Sequence, residues 1–180
     1  MSIEAEAPAA PELSVGRWFN TAGPLTLAGL RGSVVAIEAF QMLCPGCVSH
    51  GLPQAQRLAR TFGDDLTVLG LHTVFEHHAA MTPVALEAFL HEYRIGFPVG
   101  VDRHEEGDPT PITMRRLGLR GTPSLVLVDR RGRMRANLFG NVDDLALGAL
   151  VARLADEEAV GCDPATGCPV PLDTAGGMGD

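Results

Sequence analysis

The 180-residue chain is long enough for one domain with a full core and short of what two would need. Its 46% apolar and 20% charged residues are those of an ordinary globular protein, and a net charge of −8 argues against nucleic acid as the main partner. All 14 basic residues are Arg, which excludes lysine Schiff-base chemistry and leaves Arg, His or a helix end as the only cations near a reactive group.

Met1 to Glu12 is rich in Ala, Pro and Glu and lacks the basic start and apolar stretch of a secretory signal. With no apolar run long enough for a membrane span, the expected location is the cytoplasm, and residues 1–14 read as a flexible N-terminal segment. Residues 15–32 carry Trp18 and Phe19, a turn at Ala22-Gly23-Pro24, then Leu25, Leu27 and Leu30, a pattern that predicts a short hairpin. Ser33 to Phe40 is almost wholly apolar, as in a strand buried on both faces. From Cys47 to Phe62, apolar residues at helical spacing (Leu52, Ala55, Leu58, Ala59, Phe62) predict a helix kinked at Pro53.

Leu66 to His72 reads as a second buried strand. Thr82-Pro83 opens a capped helix running to Tyr93, and Phe97 to Val101 reads as a short strand. Asp108 to Leu117 is a Pro-rich entry into a brief helix. Ser124 to Asp129 and Met134 to Gly140 flank Arg130-Arg131-Gly132 as a hairpin, and Asp143 to Asp156 is a final helix with Asn141 and Asp143 as capping candidates. These elements make an α/β class with a central mixed sheet flanked by helices, a domain over residues 15–157 and an irregular tail over 158–180.

Chemistry centres on Cys44-Pro45-Gly46-Cys47, set between a buried strand and a helix. A Cys at a helix start meets unpaired N–H groups and the positive end of the dipole, which stabilise a thiolate, and a second Cys one turn on can close a disulfide. The alternative is half of a zinc site, which needs a second pair of ligands. Glu38 stands alone in the apolar strand, six residues before Cys44, where burial raises a carboxyl pKa. Gly121-Thr122-Pro123 leads into the strand Ser124 to Val128, a bend suited to a cis peptide.

Together these features resemble the thioredoxin superfamily, in particular its TlpA-like, redoxin-type thiol-disulfide oxidoreductases. The resemblance runs from about Leu25 to Leu154. It rests on Leu30-Arg31-Gly32 before Ser33-Val34-Val35, the Cys pair, a helix-bearing insert near 73–107, Gly121-Thr122-Pro123 and Asp129-Arg130-Arg131-Gly132. It implies a thioredoxin-like fold with Pro123 cis beside the Cys pair and the Thr122 backbone pairing with substrate. It also implies catalytic roles for Cys44 as attacking thiolate, Cys47 as resolving thiol and Glu38 as proton acceptor, with Leu43, Pro45 and Gly46 at the substrate rim. The implied partners are a disulfide-containing protein or small molecule and an unidentified thiol reductant, with no cofactor, no metal, no nucleic acid and no membrane segment.

Two departures stand out: Leu43 where the family usually has Trp, and Pro-Gly between the cysteines in place of Gly-Pro or Pro-Pro. Two other readings are open. A peroxiredoxin-like thiol peroxidase would want Thr three residues before the attacking Cys, where this chain has Gln41. A non-catalytic binding module would use the loop clusters Glu76-His77-His78 and His104-Glu105-Glu106, or the tail, to hold metal or a partner. Cys162 and Cys168 in the tail are a possible second disulfide, and His50 lies near enough in sequence to influence a thiol.

Overall fold

The computed structural model describes residues 7–157. Six strands form one mixed sheet in the order β1-β4-β3-β2-β5-β6. They are β1 (Val15–Phe19), β2 (Val34–Phe40), β3 (Leu66–His72), β4 (Val99–Asp102), β5 (Ser124–Val128) and β6 (Met134–Phe139). The centre, β2–β3–β4, is parallel, with β1, β5 and β6 joined antiparallel. Every residue of β2 is buried, because helices and loops cover both faces.

Side chains alternate along β2, so Val34, Ala36 and Phe40 enter one core and Val35, Ile37 and Ala39 the other. The first core is closed by α1 (Leu52–Phe62), α2 (Pro83–Glu92) and α4 (Asp144–Asp156) through Leu52, Leu86 and Val151. The second is closed by the short α3 (Ile112–Arg116), with Met114, Leu117 and Leu27. Thr82 caps α2 as expected. For α4 the cap is Asp143, which accepts from the Ala146 N–H, and Asn141 stays outside the helix.

Three local details go beyond the expectation or depart from it. The predicted hairpin over 15–32 does not form: β1 pairs with β4 across the sheet edge. Asn20, at positive φ, donates to the Ile95 and Phe97 carbonyls at 2.7 and 3.1 Å, which fastens the end of β1 to the segment before β4. The next turn is tied instead by Glu12, whose carboxylate accepts the Leu27 and Ala28 N–H groups. Residues 8–14, expected to be flexible, run along the protein: Met134 N–H donates to Pro8, Ala10 N–H to Gly132 and Arg103 N–H to Ser14. Finally, the irregularity expected at Pro53 takes the form of a π-helical turn over Cys47–Gly51 that runs without a break into α1, whose second residue is Pro53.

His72 closes β3 with 0% exposure, its ring tilted against Phe40 at 5.3 Å and both ring nitrogens without a hydrogen-bond partner among the described residues. Burial lowers its pKa to about 4. An unfolded histidine takes up its proton near 6.5 and the folded one only near 4, so the fold loses stability as pH falls through that window. The loss should be about 3 kcal/mol. His72→Leu is expected to abolish this acid limb, measured as urea-unfolding free energy at pH 7 and pH 4.5; an unchanged pH dependence would count against a neutral buried imidazole.

Candidate active site

The chain turns helical at Pro45, so Cys44 takes the residue position that caps the helix and Pro45 the first helical one, where proline is well tolerated. Cys44 is half-buried, and its Sγ accepts the Cys47 N–H at 3.2 Å while lying 3.5 Å from the Thr122 carbonyl, to which the thiol donates. Cys47 is fully buried, and both cysteines are free thiols. Burial, and then the neighbouring Cys44 sulfur, push the Cys47 thiol up to about 12. The two sulfurs thus differ in access, and it is burial that makes Cys47 a weak acid.

Beneath them lies Glu38, 1% exposed, with Oε1 unpaired among the described residues. Its pKa is raised well above the ordinary carboxyl range, first by burial and then by the Cys44 charge. The Thr122–Pro123 peptide is cis. A Cβ on Gly46 would lie 3.2 Å from Pro123 Cδ, so the dipeptide between the cysteines rides directly on that ring. Pro45 is exposed, and Leu43 is 58% exposed on the rim.

Gly51, which ends the π-helical turn, was not singled out by the sequence pattern. A Cβ there would collide with Glu38 Oε1 and come within 2.9 Å of Pro123 Cβ. Its bare backbone is what lets the carboxyl and the proline ring share the space under the helix. Gly51→Ala is expected to destabilise the fold by about 1–3 kcal/mol, as overpacking does. Adding Glu38→Ala should return much of that loss in urea unfolding, and a purely additive double variant would contradict the contact.

Of the remaining candidates, Gln41 comes nearest the sulfurs: its backbone hydrogen bond to Cys47 opposes the effect of burial on that thiol. His50 is exposed and its Nδ1 lies 2.7 Å from Ser49 Oγ. Gln41 is buried, accepting the Phe75 N–H at 3.2 Å. The two histidine loops meet, with the His78 and His104 rings 5.2 Å apart and His104 Nε2 against the Val74 carbonyl at 2.6 Å. Among the described residues, no three His, Cys, Asp or Glu side chains gather as a metal site. Trp18, on β1, packs in the second core and does not replace the missing rim Trp. Cys162 and Cys168 lie outside the described residues.

No family model matches the chain. Solved structures do. A thioredoxin-like superfamily protein is 59% identical, with a TM-score of 0.82, over 84% of this chain and 99% of that one. A thiol-disulfide isomerase from Corynebacterium glutamicum is 51% identical, with a TM-score of 0.80, over 85% and 99%. Protein DipZ of Mycobacterium bovis is 28% identical over 156 residues, which are 84% of this chain and 21% of that protein. The chain therefore spans about a fifth of the length of that curated relative. No helix among the described residues is long and apolar enough to cross a membrane. On its fold and on its likeness to these solved structures, the chain belongs to the thioredoxin superfamily, among the redoxin-type thiol-disulfide oxidoreductases.

Proposed function

We propose that the protein is a disulfide reductase in which Cys44 and Cys47 have separate tasks. The observation that carries the reading is the asymmetry of the pair: Cys44 is reachable and holds a backbone N–H on its sulfur, while Cys47 is buried with its pKa pushed to about 12. The Cys44 thiolate attacks one sulfur of a substrate disulfide, forming a mixed disulfide and releasing the first substrate thiolate. Cys47 then gives up its proton and attacks Cys44 Sγ, which expels the second thiolate. Two electrons have moved to the substrate, and a Cys44–Cys47 disulfide remains for an unidentified thiol reductant to reopen.

Glu38 serves the second step. The Cys44 charge is one of the two causes that hold its pKa up. That charge vanishes when Cys44 enters the mixed disulfide, so Glu38 ionises more readily at the moment Cys47 needs a base. Thr122 supports substrate binding: its N–H has no hydrogen-bond partner among the described residues, beside a carbonyl already in contact with Cys44. Together with Leu43, Pro45, Gly46 and Pro123 it forms the rim on which an extended segment would lie.

The test is reduction of insulin disulfides with a dithiol as electron source. Wild type is expected to accelerate precipitation of the freed insulin chains, and Cys44→Ser to match the dithiol alone. Equal rates for the two proteins would defeat the reading.

A further inference from the structure

Phe139, at the end of β6, is 48% exposed. Single exposed apolar side chains are ordinary; this one is held in a particular place. Its Cα pairs with that of Ser124, directly after Pro123, and the Gly140 N–H donates to the Pro123 carbonyl at 2.9 Å. A Cβ on Gly121 would lie 2.9 Å from Phe139 Cε2, so the ring rests on the bare backbone of Gly121. The Arg120 guanidinium carbon stands 5.3 Å from the ring centroid, and Arg120 makes no ion pair or hydrogen bond among the described residues. One residue further along is Thr122, whose carbonyl meets Cys44 Sγ.

We propose that Phe139 and Arg120 form a side-chain subsite that selects protein disulfides carrying an acidic residue and an apolar residue close to the attacked cysteine. This rests on the reductase reading above and names its substrate class. An extended segment advances about 3.3 Å per residue, so a side chain about two residues from a cysteine held at Thr122 reaches the position over Gly121. The Phe139 face offers apolar contact there, and the unpaired guanidinium above it offers a charge that a carboxylate complements. The protein as a whole carries −8, which disfavours acidic partners at long range. Arg120 reverses that preference locally, where the exchange occurs. The exposed Leu43, next to Cys44 in sequence, adds apolar contact on the rim.

The experiment uses reduced full-length protein and peptides with one cysteine, capped as its mixed disulfide with mercaptoethanol. Peptides differ only in Asp or Lys two residues from the cysteine, on either side, and in Leu or Gly at the adjacent position. The readout is the ratio of second-order rates for the Asp and Lys peptides within each protein. Wild type is expected to favour Asp by about three- to fivefold at low ionic strength, the scale of an exposed ion pair, falling toward one in high salt. Arg120→Glu should invert the ratio. Arg60→Glu, the same charge change near the far end of α1, should leave it near the wild-type value. Phe139→Ser should remove the advantage of Leu over Gly at the apolar position.

A wild-type ratio of one, or equal shifts for Arg120→Glu and Arg60→Glu, would overturn the subsite. The reductase reading is scored separately with neutral hydroxyethyl disulfide. Reaction with it but no Asp preference removes the subsite alone, whereas no reaction with any disulfide removes both.

Discussion

Cys47→Ser is expected to stop the reaction at the mixed disulfide. Cys44 keeps its half-exposed position and its Thr122 contact, so the first attack proceeds, but no resolving sulfur follows. Turnover should fall about 10³-fold or more, since a step that the chemistry requires is removed. The substrate should accumulate as a stoichiometric adduct on Cys44, read by mass spectrometry of non-reduced peptides. Cys44→Ser should give no adduct on Cys47, which is buried with its thiol pushed to about 12. Equal trapping by both variants would contradict the division of labour. The same digest reads Cys162 and Cys168: a disulfide between Cys44 and either residue would reveal a relay through the tail, and its absence removes that idea.

The second large effect belongs to Glu38. Replacement by Leu deletes the only acid–base group in the strand beneath the sulfurs, and the resolving step should slow about 10²-fold near pH 7. Because Cys47 must then lose its proton to solvent, the rate should recover about tenfold per pH unit as pH rises toward 12. Stability moves the other way. The folded carboxyl is raised by burial, so Glu38 contributes fully below its unfolded value of about 4.5 and loses that contribution as pH rises toward the folded value. Glu38→Leu should therefore be more stable than wild type at pH 8, by about 1–3 kcal/mol, the cost of a buried polar group left unsatisfied. Slower release together with a gain in stability distinguishes a working base from a structural carboxyl, whose removal would lower both.

Burial acts on two further titratable groups, Asp102 and His72. Asp102, raised chiefly by burial, accepts the Thr113 and Met114 N–H groups and the Thr73 hydroxyl, and so holds α3 against β4. His72 loses stability on the acid side and Glu38 on the alkaline side, which places the most stable pH between them.

Much of this was legible in the residues. The uninterrupted apolar run of β2 marked a strand covered on both faces, and Glu38 within it stood out because a lone carboxyl there is costly. Thr82-Pro83 and Asp143 carried their capping chemistry in their side chains. What sequence could not carry were relations between distant segments. Trp18 and Phe19 look like half of a hairpin, and only the partner supplied by Val99 and Gly100 makes β1 an edge strand. Gly51 is one glycine among 21 until Glu38 and Pro123 are seen pressing on its backbone. Phe139 continues the alternation of β6 onto its exposed face, and its closeness to Gly121 depends on the β5–β6 register. The π-helical turn likewise has no marker of its own, since Pro53 signals an irregular helix without giving its form.

In the proposed function Cys44 and Cys47 form one two-electron couple poised to reduce disulfides. Equilibrating the protein in redox buffers and counting free thiols by mass spectrometry tests it directly. The expected result is a single transition in which both thiols disappear together, with a midpoint near −270 mV or below. A midpoint near about −120 mV would make the protein an oxidant, and no joint transition at all would contradict the account.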